Sequence, residues 1–128
     1  MRLLLDTHSL VWSVDKPEQL SPTAHAALSD SSVKLFVSAA SIWEMAIKLG
    51  LGKMSLSLPY SQWMALTISD LGATVLPIST DHANAIIHLP FHHRDPFDRM
   101  LIAQSLMEDL PLVSSDATLD AYGINRFW

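Results

Sequence analysis

Five acids in this chain lie in or beside apolar segments. Asp6 closes LLLD, Glu44 interrupts SIWEMAIK, Asp95 and Asp98 open RDPFDRMLIAQ, and Asp116 ends LVSSD. A carboxylate among apolar side chains has to be hydrogen-bonded, neutralised or matched by a cation, because burying unpaired charge is costly. Acids without any cysteine select a hard cation, magnesium or manganese, over a thiophilic one. His8, His92 and His93 share no helical H-x-x-x-H spacing, and the adjacent pair precedes a helix in a loop. A zinc site is therefore not expected.

Each acid also has a purely structural reading. Asp6 would start a helix over Thr7-His8-Ser9 as its N-cap, but the three leucines before it place the carboxylate at the rim of a sheet. With Asp95 as N-cap and Pro96 at the first helical position, Asp98 falls at N3, the reciprocal position of a capping box, which normally holds Glu or Gln. Asp98 shares its side of the helix with Leu101, Ile102 and Ser105, and the helix is apolar nearly all round, as buried helices are. The residues thus assign Asp95 to structure and Asp98 to a ligand role. Glu44 taken alone reads as an exposed i, i+4 pair with Lys48, worth only ~0.3–0.5 kcal/mol, although Ser41 one turn earlier extends a polar stripe. Asp116 taken alone caps a short helix, Ala117–Tyr122. Glu108, Asp109 and Asp120 read as solvated surface charges.

Something must hold these acids together. Short apolar runs between turn residues predict strands at Leu3–Asp6, Leu35–Val37, Thr74–Pro77, Leu112–Ser114 and Ile124–Phe127. Helices are predicted from Ser21-Pro22 through Leu28, and at Ala39–Leu49, Pro59–Leu71 (closed by Gly72), Thr80–His88 and Pro96–Asp109. Strands alternating with helices imply right-handed crossovers and a mainly parallel sheet covered on both faces. Ligands of such sheets sit outside the carboxyl ends of the strands, where Asp6 and Asp116 fall.

Length and composition narrow the classes further. The 128 residues suit one domain spanning 1–128, and 49% hydrophobic content with 16% charged residues excludes disorder. No apolar run approaches the ~20 residues of a membrane span. MRLLLDTHSLVW reads as a first strand rather than a leader, so a soluble cytoplasmic protein without membrane contact is expected. The absence of cysteine excludes disulfides and thiolate catalysis, and the four glycines at 50, 52, 72 and 123 form no phosphate-cradling loop. Thirteen acids against eight Lys and Arg, net −5, leave no basic footprint for nucleic acid. A cation bound among the acids would reverse the local field.

The stretches LLLDTHSLVW, SAASIWEMAIKLGLGKMSL, HLPFHHRDPFDRMLIAQSL, LVSSD and YGINRFW, in that order and over nearly the whole chain, resemble the PIN-domain ribonucleases, most closely the VapC-type toxins of toxin–antitoxin pairs. WE-x-A-I-K together with HHRDPFDR-x-LIAQ is the specific part of the match. The resemblance implies a three-layer α/β/α domain with a mainly parallel central sheet. It implies Asp6 and Asp98 as the main metal ligands, Glu44 and Asp116 as second-ion or water-mediated ligands, and Thr7 as the hydroxyl residue beside the first acid. Ser41 and Asp95 have supporting places. Asp120 departs from the apolar or aromatic residue expected in the closing segment, and LVSSD lacks a basic residue before its aspartate.

The function implied is Mg²⁺-dependent cleavage of RNA phosphodiester bonds, with Mn²⁺ able to substitute. Bound divalent ions can activate water, offset phosphate charge and assist the leaving oxygen. The partners implied are a homodimer mate and a VapB-like antitoxin that inserts a basic side chain into the acidic pocket. Lys48, Lys53, Arg94 and Arg99 are candidate contacts to the RNA backbone. Two other classes compete with this. A Mg-dependent phosphotransfer protein could use Asp6 as acceptor, but the D-x-D pattern is broken by His8 and no second acid adjoins Asp6. A non-catalytic PIN-like binding module could use the acids only as helix caps.

Overall fold

The computed structural model describes residues 1–128. Its centre is β1 (Arg2–Leu5), in which Leu3, Leu4 and Leu5 are all fully buried. Successive side chains of a strand point to opposite faces, and the core divides accordingly. Leu3 and Leu5 pack with Leu10, Ala24, Val37, Met45 and Trp63 on one face, and Leu4 packs with Leu101, Ile102, Leu112 and Ile124 on the other. An unbroken apolar strand is what a sheet covered on both sides requires.

The other elements follow in order: α1 (Thr7–Asp15), a 3₁₀ turn (Pro17–Gln19), α2 (Pro22–Leu28), β2 (Lys34–Ser38), α3 (Ala39–Gly50), α4 (Tyr60–Leu71), β3 (Thr74–Leu76), α5 (Thr80–Ile87), α6 (Pro96–Glu108), β4 (Leu112–Val113), a second 3₁₀ segment (Ala117–Tyr122) and β5 (Arg126–Phe127). The five strands lie in the order β3-β2-β1-β4-β5, and every pair is parallel. Helices α1 to α4 contribute to the first core, while the second is built from Leu101 and Ile102 of α6, from Leu4 and Leu112 of the sheet and from Leu119 and Tyr122 after β4, with α5 packed upon α6. This is the expected three-layer arrangement. No helix is long and apolar enough to cross a membrane.

The chain steps outward from β1 to β2 to β3 and then returns to the far side of β1 as β4. The sheet therefore changes direction between β1 and β4, and the crevice at their carboxyl ends is where such sheets accept ligands. Asp6 follows β1 directly, and Ser114 to Asp116 follow β4.

One element differs from expectation. The helices predicted from the apolar pattern begin at Ser21, yet the cap reading of Asp6 holds and Thr7–Asp15 is helical. Its sequence, THSLVWSVD, is rich in weak helix formers, so the helix depends on the Asp6 cap, which accepts from Ser9 N at 2.8 Å, and on the buried Leu10. The short helix expected after Asp116 is present over Ala117–Tyr122 with Asp116 as its cap, in 3₁₀ form, as befits a six-residue connector. Gly72 closes α4 with φ 59°, and Asp109 closes α6 at φ 52°, a left-handed position that Asp tolerates better than most residues.

Candidate metal centre

Asp6 reaches the site because β1 ends there. Its backbone N donates to Val113 O at 3.1 Å, which ties the end of β1 to β4. The side chain is 9% exposed. Burial pushes its carboxyl above the ordinary carboxylate range, against opposing hydrogen bonds from Ser9 and Ser114 and the nearby His8.

Glu44 arrives from α3, which starts where β2 ends. Ser38, fully buried, caps α3 by accepting from Ala40 N at 3.0 Å. The Glu44 carboxylate is only 4% exposed. Oε1 accepts from Thr7 Oγ1 at 2.6 Å, and Oε2 pairs with Lys48 Nζ at 2.5 Å. The single hydroxyl proton of Thr7 goes to Glu44, so the 2.9 Å contact between Thr7 Oγ1 and Ser41 Oγ is completed by the Ser41 proton. The surface-pair reading of Glu44 and Lys48 is thereby corrected. The ion pair exists, but its carboxylate is buried and is braced by a residue 37 positions away. Lys48 is held charged above its usual range, first by its hydrogen bond to Glu44.

Asp95 and Asp98 enter on the first turn of α6. Asp95 Oδ1 accepts from Phe97 N at 2.8 Å and from Asp98 N at 3.3 Å, so Asp95 does the capping. The reciprocal half of a capping box is missing, since the N3 aspartate is too short to reach back, and this leaves the Asp98 carboxylate outside the cap. It is pushed up to about 6, by burial first and then by the neighbouring charges of Asp95, Glu44 and Asp6. Those three carboxylates therefore share its surroundings.

Asp116 lies beyond β4 and is exposed. Its Oδ1 accepts from Thr118 N at 3.0 Å and Thr118 Oγ1 at 2.5 Å, which holds the carboxyl below the usual range. The chain of hydrogen bonds continues. His93 Nε2 lies 2.9 Å from Thr118 Oγ1, and Tyr122 Oη accepts from His93 N at 2.7 Å. Because the Thr118 proton points to Asp116, His93 supplies the proton of the Thr118–His93 contact from Nε2. No residue pattern marks the chain that runs from Tyr122 through His93 and Thr118 to Asp116.

These residues line one pocket of about 100 Å³ formed by Asp6, Thr7, His8, Glu44, Lys48, Asp95, Asp98, Ser114, Ser115, Asp116 and Leu119. Larger concavities of about 610 and 490 Å³ lie elsewhere, but neither gathers these carboxylates, and donor chemistry outweighs size here. As arranged, no three acidic or histidine side chains converge as a ready cation cage. The donor set nonetheless fits magnesium or manganese. It consists of hard oxygen ligands, and Mg²⁺ takes one or two carboxylates directly while keeping several waters.

Arg99, next to Asp98, was expected as a candidate RNA contact and is not one. It is 4% exposed and donates to four backbone carbonyls, those of Pro90, Leu89, Ile86 and His93, at 2.7 to 3.5 Å. Its guanidinium also lies 4.1 Å from the Phe91 ring centroid. Arg99 thus ties down the loop that delivers Asp95 and Asp98. Gln104, fully buried on the same helix, accepts from Ser38 Oγ at 2.5 Å and so joins the start of α3 to α6. A basic residue and a glutamine inside a nearly all-apolar helix were the available signals for both. Glu108 and Asp120 are not free surface charges either. Glu108 accepts from buried His82 at 2.8 Å, and Asp120 pairs with Arg126 at 2.8 Å.

Comparison with known proteins gives the same frame. Among curated protein sequences, none matches. Among solved structures, the chain is similar to one in the crystal structure of VapBC2 from Rickettsia felis bound to a DNA fragment from their promoter. The TM-score is 0.74 at 13% identity, covering 99% of this chain and 96% of that one. At that identity the likeness shows the fold alone. The profile described as PIN domain matches residues 3–125, which runs from β1 through β4 to just before β5 and takes in every acid of the pocket, so this chain belongs to the PIN-domain family, whose members are generally nucleases.

Proposed function

We propose that this protein is a divalent-metal-dependent endoribonuclease, built as one PIN domain and acting as the toxin of a VapC-type toxin–antitoxin pair. The observation that carries the reading is the pocket at the β1/β4 switch point. Asp6, Glu44, Asp98 and Asp116, drawn from four separate parts of the chain, line it together without any thiolate.

A bound Mg²⁺ or Mn²⁺ would supply an activated water and offset the charge of the scissile phosphate. The protein's own residues do the rest. Asp6 and Asp98 would hold the ion, since Asp98 is outside the helix cap and Asp6 follows β1 into the crevice. Glu44, fixed by Thr7 and Lys48, and Asp116, fixed by Thr118, would bind through water or hold a second ion. Asp95 keeps α6 in place as its cap. A bound cation would also offset the mutual repulsion that, after burial, raises Asp98.

Lys48 already neutralises one carboxylate of the pocket, and this suggests how the enzyme is silenced. An antitoxin resembling VapB would extend an Arg or Lys toward Asp6, Glu44 and Asp98 and compete with the metal, arginine being favoured for its bidentate fork. A homodimer contact would cover part of the remaining apolar surface.

The test is metal removal. Purified protein should cleave RNA with Mg²⁺ or Mn²⁺, stop on chelation with EDTA, and recover when the ion is restored. Undiminished cleavage after chelation and exhaustive dialysis would refute metal dependence.

A further inference from the structure

We propose that Trp43, braced by Phe97, is a stacking platform for an unpaired base next to the scissile phosphate. The inference rests on the ribonuclease reading and specifies its substrate as a single-stranded segment with at least one base splayed out.

Trp43 is 60% exposed, a large apolar ring left in water. It immediately precedes Glu44 on α3, and Phe97 immediately precedes Asp98 on α6. The two rings meet edge to face, 5.3 Å between centroids and 76° between planes. An aromatic pair of this geometry is attractive in its own right, and it fixes the indole beside the two helices that carry the acids. Exposure of 60% leaves indole surface open to an incoming planar group.

The charges around the pocket show why such a platform is needed. A nucleic-acid enzyme ordinarily holds its substrate through Lys and Arg on phosphates. Here the only cationic side chain lining the pocket, Lys48, is paired with Glu44. Arg99 is buried against backbone carbonyls, and the whole chain is net −5. Phosphate contacts alone therefore hold an RNA strand weakly. Base–aromatic stacking does not depend on charge and accepts any base, because every base has a π-face. A base within a duplex is already stacked, so the platform selects unpaired segments.

The experiment uses the full chain carrying Asp98→Asn, chosen to block cutting, and a labelled single-stranded RNA of about twelve nucleotides followed by fluorescence anisotropy. Adding Trp43→Ala should weaken binding by about tenfold or more, and Trp43→Phe should stay within about threefold of the parent, the range expected for one stacked base. A duplex of the same length should bind no better than the Trp43→Ala protein binds the single strand. Affinity should fall only shallowly with salt, with a log–log slope of about −1.4 or smaller in magnitude, as for one or two phosphate contacts on a single strand. Equal binding by parent and Trp43→Ala, or no binding by the parent, overturns the proposal. Sedimentation of the same proteins covers the rival occupant, a second copy of the chain. If Trp43→Ala turns a dimer into a monomer, Trp43 is a self-association contact and the proposal falls. The ribonuclease reading fails separately, if the wild type with Mg²⁺ leaves RNA uncut while Trp43→Ala still weakens binding.

Discussion

Replacing Asp98 by Asn should make the metal-free protein more stable while removing its activity. The Asp98 carboxyl is pushed from 3.8 to about 6 by burial and by Asp95, Glu44 and Asp6. At 1.36 kcal/mol per pH unit, that shift sets a ceiling of about 3 kcal/mol on the penalty for keeping Asp98 ionised. Asp98 is partly open to water, and screening reduces this to about 1.5 kcal/mol. Against it stands the favourable position of a negative charge at N3 of α6, about 0.5 kcal/mol that Asn gives up. Desolvation and repulsion win, and the net gain is about 1 kcal/mol. For 128 residues the unfolding entropy is about 0.27 kcal/mol/K, so Tm should rise by about 4 °C.

The sign of the pH dependence follows from linkage. An acid whose folded pKa is raised favours the folded state below its unfolded value, and that contribution is lost as pH rises through the folded value. Wild-type protein should therefore lose stability relative to Asp98→Asn between about pH 4 and 6, with the full difference present at pH 7.5 and almost none at pH 4. Thermal melts by circular dichroism in EDTA across that range measure it directly. Mn²⁺ at a hundred times its Kd should then stabilise wild type by about 2.7 kcal/mol and leave the variant nearly unchanged, reversing their order. An Asn variant that melts at or below wild type at pH 7.5 in EDTA, or an advantage that persists at pH 4, would refute the reasoning.

Arg99→Lys should destabilise the fold by about 3 kcal/mol, because lysine cannot reproduce the fork that serves four carbonyls and leaves several of them buried without a donor. Urea denaturation checks this, and an unchanged midpoint would mean that the loop does not depend on Arg99. The protein encoded beside this chain should co-purify with it and suppress cleavage, and mutating its inserted Arg or Lys should weaken that inhibition. A co-purified complex that cuts RNA at the free enzyme's rate would exclude control through the pocket.

The fold was largely legible because its physics is local. Leu3-Leu4-Leu5 announces a strand covered on both faces, Ser21-Pro22 and Asp95-Pro96 announce helix starts, and Gly72 announces a stop. That Asp95 caps α6 while Asp98 stays outside the cap was also legible, since N-cap and N3 positions are fixed by spacing. Only the start of helix α1 was legible, at the Asp6 cap, because THSLVWSVD carries little intrinsic helix preference and gains its stability from packing. Glu44 could not be judged from its neighbours alone. Its burial and its Thr7 partner come from tertiary contact, whereas i, i+4 spacing describes only the Lys48 pair. Arg99 was misplaced for a similar reason, because its partners are backbone carbonyls, which no residue pattern marks. The His93–Thr118–Asp116 chain likewise exists only once the α5–α6 loop meets the segment after β4.

The most direct test of the central claim is in vitro cleavage of RNA with mapping of 5′ ends, comparing wild type with Asp6→Asn and Asp98→Asn at equal Mg²⁺. Each substitution removes a charge from the pocket with almost no change in volume. The account predicts discrete new 5′ ends with wild type and none with either variant, while both variants remain folded by circular dichroism. Wild-type cleavage by either folded variant would contradict the assignment of Asp6 and Asp98 to the metal centre.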